Sequence, residues 1–475
     1  MRGILSWGTY LPYRRLDRTT IAAVAGGGGG KGTRTVASYD EDTTTMGVEA
    51  ARRAVRRRPE VDVGSLWFST VTPAYLDKTN ATALHAALRL RRAAGAYDAI
   101  GSVRSGLGAL RAGLASDATA LVVTADTRGG LPGGPDEAAG GDGAAALLLG
   151  SDTDAPVVAE VVAWNTATEE FLDRWRTPGD VRSKVWEERF GETRYTALGI
   201  DAWEGALKDS GFAADQLDHV IVASMHERAA GAVTKKLGVA ADRVVENLAA
   251  TAGNTGTALP AMLLCRALEQ ARPNQTIALA VLADGADVVV VRTTAALADF
   301  DPAVSVERQL ASGAPIPYGK YLAWRGLLPV DPPRRPEPAR PSASASGRSI
   351  DWKFGFVGSE AADGTVHLPP SPQDHDARPM ADATGTIVAF TVDKLAYSPS
   401  PPVVFAVVDF DGGGRVPVEL TDVDPDEVAI GGRVEMTFRK LFTADGIHNY
   451  FWKARPLRGV EIHGEDDGAV ATPST

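Results

Sequence analysis

Two kinds of apolar pattern alternate along the first 325 residues of the chain. Runs such as Ser65-Leu-Trp-Phe-Ser-Thr-Val71, Ala120-Leu-Val-Val-Thr124, His219-Val-Ile-Val-Ala-Ser-Met225 and Ile277-Ala-Leu-Ala-Val281 are short, nearly continuous and rich in β-branched residues, the pattern of buried strands. Between them, stretches such as Thr45–Val55 and Ala197–Leu207 repeat their apolar positions every three or four residues, which predicts amphipathic helices. Strands that alternate with helices imply a layered α/β fold.

The pattern occurs twice. Thr45–Val55 and the strand at 65–71 are mirrored by Ala197–Leu207 and the strand at 219–225. Ser105-Gly-Leu-Gly-Ala-Leu110, a small-residue turn opening a helix, is mirrored by Asn254-Thr-Gly-Thr-Ala-Leu259, and Gly143–Leu149 by Gly285–Val291. Matched elements in the same order predict a duplicated α/β unit, with halves at 1–150 and 151–328. Such a pair brings strand ends and helix N-termini of both halves around one shared cleft.

Beyond it the pattern breaks. Residues 329–349 are rich in Pro and Ser with no apolar period and read as a linker; 350–463 is strand-rich; 464–475 is predicted to be disordered. A chain of 475 residues is too long for one core, which agrees with several domains. The net charge of −11 argues against a general nucleic-acid binder. The lone Cys265, set among apolar neighbours, excludes an intramolecular disulfide and reads as a core thiol. No stretch has the ~20 apolar residues that span a bilayer, and the start lacks a signal-peptide apolar region, so a soluble cytoplasmic protein without a membrane partner is expected.

The turn Asp98-Ala-Ile-Gly-Ser-Val-Arg-Ser-Gly-Leu-Gly-Ala-Leu110 resembles the nucleophile segment of thiolase-superfamily condensing enzymes. The opening Gly8-Thr-Tyr-Leu-Pro, the segment Asp40-Glu-Asp-Thr-Thr-Thr-Met and Tyr318-Gly-Lys-Tyr-Leu-Ala-Trp-Arg-Gly326 narrow the resemblance. Together they resemble the branch of hydroxymethylglutaryl-CoA synthase and ketoacyl-ACP synthase III. The resemblance implies a duplicated five-layered thiolase fold. The C-terminal segment is similar to the acyl-CoA-associated OB-fold family through Gly385-Thr-Ile-Val-Ala-Phe-Thr-Val, Pro402–Phe410 and Asn449-Tyr-Phe-Trp-Lys-Ala-Arg-Pro456, which implies a small all-β barrel. In that family a four-cysteine zinc ribbon precedes the barrel. Here Glu360 and Asp363 stand where its first pair of cysteines would fall, so no metal is expected.

By the same resemblance, Val103 occupies the position of the catalytic cysteine and Val71 that of the glutamate acid/base, while His226 and Asn254 are retained. His226 and Asn254 are the expected oxyanion donors, Tyr75 an expected proton donor, and Lys78 and Gly256 further pocket residues with Val71 and Val103. Ser102, one place before Val103, could serve as a nucleophile only with a base beside it. On a strand it would face away from a cleft that Val103 faces. The resemblance implies a CoA or acyl-carrier-protein thioester as substrate, no bound cofactor, and a homodimer formed through the strand beside the nucleophile turn. Three functions remain open. The first is carbon–carbon bond making or breaking of aldol or retro-aldol type without an acyl-cysteine; the others are a thioester-binding scaffold and a serine acyltransferase at Ser102. Other polar residues read blandly. His85 packs or caps on its helix; His367, His375, Asp363 and Asp374 lack metal-ligand spacing; and Arg52, Arg53, Arg56, Arg57 and Arg58 form a solvated helix end.

Overall fold

The computed structural model describes residues 1–374 and 376–458; His375 and the tail expected to be disordered lie outside the described residues. The principal elements of the first half are β1 (Arg2–Tyr10), α1 (Thr43–Val55), β2 (Ser65–Thr70), α2 (Ala81–Ala87), β3 (Gly95–Ile100), α3 (Arg104–Ala115), β4 (Ala120–Asp126) and β5 (Gly143–Ser151). The second half supplies β6 (Ala159–Ala167), α4 (Glu188–Ser210), β7 (His219–Ser224), α5 (Glu227–Thr234), α6 (Leu259–Gln270), β8 (Thr276–Leu282) and β9 (Ala286–Thr293).

Nine strands form one sheet in the order β7-β8-β9-β6-β1-β5-β4-β2-β3. Read outward from the β1/β6 seam, one half runs β1, β5, β4, β2, β3 and the other β6, β9, β8, β7, so the duplication lies in the topology as well as the sequence. The counterpart of β3 shrinks to a single parallel bridge between Val220 and Val244. Within the sheet the halves join where β1 pairs with β6, through Gly3–Glu160 and Ile4–Ala159.

Strand alternation sorts the core into layers. Val123 and Leu121 point to the side covered by α1 and α2, with Met46, Leu84 and Phe68. Val122 points the other way, into a cluster where Leu107 and Leu110 of α3 and Met262 and Leu263 of α6 lie between the two halves. Helices α4 and α5 cover the far side of the second half with Leu198, Trp203 and Val233. The stack is helix, sheet, helix, sheet, helix: the five layers of a thiolase fold.

Residues 329–342 contain no helix or strand, but a helix at Ala343–Arg348 falls inside the stretch expected to be all linker. A short helix α7 (Ile350–Gly355) then leads to β10 (Thr384–Asp393), β11 (Val403–Phe410), β12 (Arg415–Leu420), β13 (Arg433–Ala444) and β14 (Ile447–Pro456), which close a barrel in the order β10-β11-β12-β14-β13. Its interior holds Val408, Val418, Phe438 and Trp452, and the Trp452 indole donates to the Phe354 carbonyl of α7 at 2.7 Å. Where zinc ligands would begin, Glu360 pairs with Arg378 at 3.3 Å and Asp363 accepts the Thr365 N–H at 3.0 Å. His367 Nδ1 lies 2.6 Å from Asp374. His85 packs over the turn that follows its helix, its Nε2 lying 3.0 Å from the Arg91 carbonyl.

The barrel docks on α1, and here the arginine run departs from expectation. Helix α1 starts at a reciprocal cap between Asp42 and Thr45, and nearly all of its residues are buried, Glu49 and Arg52 included. Arg52 bridges Glu49 at 2.8 Å and Asp382 at 2.9 Å and lies over the Trp452 ring; Arg56 also reaches Asp382. These arginines therefore belong to a seam rather than to a solvated face. Across the same seam Lys453 binds Asp40 at 3.0 Å, Arg455 binds Glu49 at 3.1 Å, and Arg439, held within the barrel by Asp422, binds Glu41, all buried. Against the upward pull of burial, Lys453 and Arg439 hold Asp40 down at about 2. Burial pushes Glu41 up to about 7. Buried charges are tolerable only when paired in this way.

A candidate active-site cleft between the two halves

A cavity of about 480 Å³ opens between the halves. Its first-half wall comes from the ends of β2 and β3: Val71, and then Ser102 and Val103 at the entry to α3. Strand β3 stops at Ile100, and Gly101 follows with φ 115°, a backbone region open mainly to glycine. The chain then turns so sharply that Ser102 and Val103 both line the cavity, so the expectation that Ser102 faces away is corrected: strand alternation no longer applies past Ile100. The Ser102 hydroxyl has Ser105 Oγ, at 3.5 Å, as its only partner among the described residues.

The second half contributes Ser224 and His226 at the end of β7. His226 is the N-cap of α5. Its Nδ1 accepts the Ala229 N–H at 3.1 Å, so in the neutral ring Nε2 carries the proton and donates to the Glu188 carbonyl at 2.9 Å. Asn254 lies next to His226 on the wall of an adjoining cavity of about 670 Å³. Its amide donates to the Ser224 carbonyl at 2.7 Å and its Oδ1 accepts the Gly256 N–H at 3.0 Å.

A segment between β6 and α4 separates the two cavities, folded as a small hairpin of Arg174–Trp175 and Lys184–Val185. It brings in Asp173, a residue that the sequence reading passed over. Asp173 lines both cavities, is 6% exposed, and places Oδ1 4.0 Å from His226 Nε2. That oxygen is buried without a hydrogen-bond partner among the described residues. Burial raises the Asp173 pKa, with His226 and Arg174 pulling the other way. Asp284, on the same cavity wall, is also raised by burial, and the Asp284 N–H donates to the Tyr195 hydroxyl at 3.3 Å. The signal for Asp173 was the segment itself, Phe171-Leu-Asp-Arg-Trp-Arg176, which has no counterpart in the first half.

Three expected pocket residues lie elsewhere. The Tyr75 hydroxyl accepts the His448 N–H of the barrel at 2.7 Å, and its ring packs on His448 at 5.0 Å, so Tyr75 helps seat the barrel. Lys78 is exposed and donates to Thr79 and Thr82, both at 2.9 Å. Gly256 is buried behind the cleft with φ 60°; a Cβ there would meet Asp126 Oδ2 at 2.2 Å. Its role is to admit Asp126, which ties Thr70, Val71 and Thr257 together at 2.7–2.9 Å. The cleft thus joins Val71, Ser102, Val103, His226 and Asp173, with Asn254 around the corner.

Comparison with known proteins agrees with this architecture. Residues 207–291 match the family model of the 3-oxoacyl-[acyl-carrier-protein] synthase III C terminal, and 377–439 match that of the ChsH2 C-terminal OB-fold domain. A hydroxymethylglutaryl-CoA synthase of Aeropyrum pernix is 30% identical over 346 residues, 69% of this chain and 95% of the relative. One from Archaeoglobus fulgidus is 27% identical over 345 residues, 68% of this chain and 98% of the relative. Among solved structures, the synthase PksG of Bacillus subtilis overlays with TM-score 0.59 at 18% identity, covering 69% of this chain and 89% of its own. MvaS in complex with 3-hydroxy-3-methylglutaryl coenzyme A overlays with TM-score 0.56 at 21% identity, covering 72% and 94%. FabH of Pseudomonas aeruginosa overlays with TM-score 0.51 at 22% identity, covering 62% and 98%. Among the described residues no helix is long and apolar enough to cross a membrane.

Proposed function

The chain belongs to the hydroxymethylglutaryl-CoA synthase family, and from that membership we propose that it makes or breaks a carbon–carbon bond beside a thioester carbonyl without an acyl-enzyme. The thioester is carried by CoA or by an acyl carrier protein. Val103 and Val71 stand where acyl transfer would need a thiol and a carboxylate, and neither can attack or ionise. What remains in the cavity is proton-handling chemistry. The observation that carries this reading is Asp173: a buried carboxyl with an unpartnered oxygen 4.0 Å from His226, its pKa raised by burial.

In the proposed reaction the Asp173 carboxylate takes a proton from the carbon next to the thioester carbonyl. The resulting enolate adds to the carbonyl of a second substrate, forming the carbon–carbon bond; His226 Nε2–H hydrogen-bonds the new alkoxide, and Asp173 gives that oxygen the proton it took, which restores the carboxylate. The reverse sequence cleaves the bond. The acyl group stays on its carrier throughout, so no leaving group departs. Asn254 retains a second amide hydrogen, beyond the one given to Ser224, on the wall of the adjoining cavity.

The direct test is exchange of the α-hydrogen of acetyl-CoA and longer acyl-CoA thioesters in D₂O, followed by mass spectrometry of both thioester and protein. The expected result is deuterium uptake without a protein adduct, reduced roughly 10²-fold or more in Asp173→Asn, while His226→Ala lowers carbon–carbon bond formation with a second substrate. Uptake that survives Asp173→Asn would sink the mechanism. A scaffold is the second reading, favoured by one observation: in this structure the His226 and Asn254 donors are already engaged by the Glu188 and Ser224 carbonyls. Tight thioester binding with no exchange in the wild type would establish it. We further infer that two copies pair along β3, the free edge of the sheet, which presents exposed Tyr97 and Ile100.

A further inference from the structure

One charged residue of the cleft takes no part in the chemistry above. Arg128 follows β4; its backbone N–H donates to Asp142 at 2.7 Å and its carbonyl accepts from Arg34. Its side chain lies on the wall of the 480 Å³ cavity, and the residue is 7% exposed. Among the described residues its guanidinium makes no hydrogen bond and no ion pair. The acids around it are committed elsewhere: Asp126 to Thr70, Val71 and Thr257, Asp136 to Arg174, and Asp142 to Arg34 and Arg325. Burial draws the Arg128 pKa down and the charges of Arg174 and Arg176 add to that, while those of Asp126 and Asp136 pull it back up.

A buried guanidinium with a fork of free donors is costly in a folded protein unless something occupies it. The rest of the cavity narrows what that is. Val71, Leu76, Ile100, Val103 and Leu282 form an apolar wall, suited to a carbon chain. The planar fork of an arginine matches a carboxylate through two parallel hydrogen bonds. We propose that Arg128 anchors a carboxylate carried by the reactant in this cavity, so that the cleft takes a dicarboxylic half-thioester or a keto acid in preference to an uncharged acyl chain. The assignment deepens the thioester reading and rests on it for the identity of the reacting end. A neutral analogue would leave the guanidinium buried and unpaired, which is a penalty against the wrong substrate as well as an attraction for the right one.

Calorimetric titration of the intact protein with glutaryl-CoA, with its terminal methyl ester and with free glutarate tests this. The wild type is expected to bind glutaryl-CoA at least tenfold more tightly than the ester. Arg128→Met should abolish that preference while leaving the ester's affinity unchanged, and Arg128→Lys should keep a reduced preference, since it supplies charge without the fork. Ligand-free Arg128→Met should melt at or above the wild-type temperature, because it removes an unpaired buried charge; should it fail to fold, the lysine variant decides. Equal binding of acid and ester by the wild type, or a preference that persists in Arg128→Met, overturns the anchor and leaves the thioester reading standing. If neither thioester binds but glutarate does, in an Arg128-dependent way, the anchor stands and the thioester reading falls. If glutarate also fails to bind, the anchor falls.

Discussion

At the scale of single residues, the proposed proton chemistry depends on one hydrogen atom. Gly191 lies in α4 opposite the Asp173–His226 pair, and a Cβ there would meet Asp173 Oδ1 at 2.3 Å and the His226 ring at 3.3 Å. Elsewhere in a helix, Gly→Ala adds up to about 1 kcal/mol of stability. Here the added methyl must displace the carboxyl. Gly191→Ala is therefore expected to keep or raise the melting temperature while α-hydrogen exchange falls by roughly 10²-fold, the scale of an ångström's misplacement. Unchanged exchange would mean that the Asp173 position does not matter. His226 and Asn254 sit in short motifs that stand out in the chain, His226 just past the end of β7 and Asn254 in the turn that enters α6. Asp173 does not, since it comes from a segment outside the repeat, and its partner 53 residues away is met only after α4 folds back. The expectation for Ser102 fails for a local reason: the strand stops at Ile100, three residues before Val103, and Gly101 turns the chain.

Elements carry their own titration. Glu269 near the end of α6 accepts the Val306 N–H at 2.9 Å with Oε2, while Oε1 is buried on the side of the Trp7 indole with no well-formed hydrogen bond among the described residues. Burial pushes its pKa up to about 7 from an ordinary 4.5. A carboxyl raised on folding adds its full stability below the unfolded value and loses it as pH rises through the folded value. Relative to the wild type, Glu269→Gln should show no difference in stability near pH 4, a gain that grows between about 4.5 and 7, and a plateau of roughly 1–3 kcal/mol above that. Denaturant titrations at pH 4 and pH 8 check it; equal gains at both would show that Glu269 is not protonated in the fold. The regular elements were mostly legible, because strand and helix periods differ and each half repeats the other. Two were not. Helix α4 begins at Glu188, before its apolar period is established, with no side-chain cap to announce it. The second-half partner of β3 dwindles to one bridge, which no periodicity could signal.

For the whole molecule, a duplicated layered α/β body and a separate strand-rich segment followed from the alternation of patterns and the break near residue 330, and the five layers and the barrel from the family resemblance, but the way the parts meet followed from neither. A run of arginines looks the same on paper whether it faces water or a second domain. Only tertiary proximity to Asp382 and Trp452 distinguishes the two. The assembly beyond one chain should be equally physical. With β3 as the free edge of the sheet and Tyr97 half exposed beside it, sedimentation of the wild type should report a dimer and that of Tyr97→Arg a monomer. A monomeric wild type would remove the pairing from the proposal. Finally, the seam between body and barrel is a matched set: the body offers Asp40, Glu41 and Glu49, and the barrel answers with Lys453, Arg439 and Arg455. Recognition of this kind does not need a peptide bond. The irregular stretch at 329–342 acts as a tether that sets local concentration, and the two parts, made as separate chains, carry in their own surfaces the instructions to find each other again.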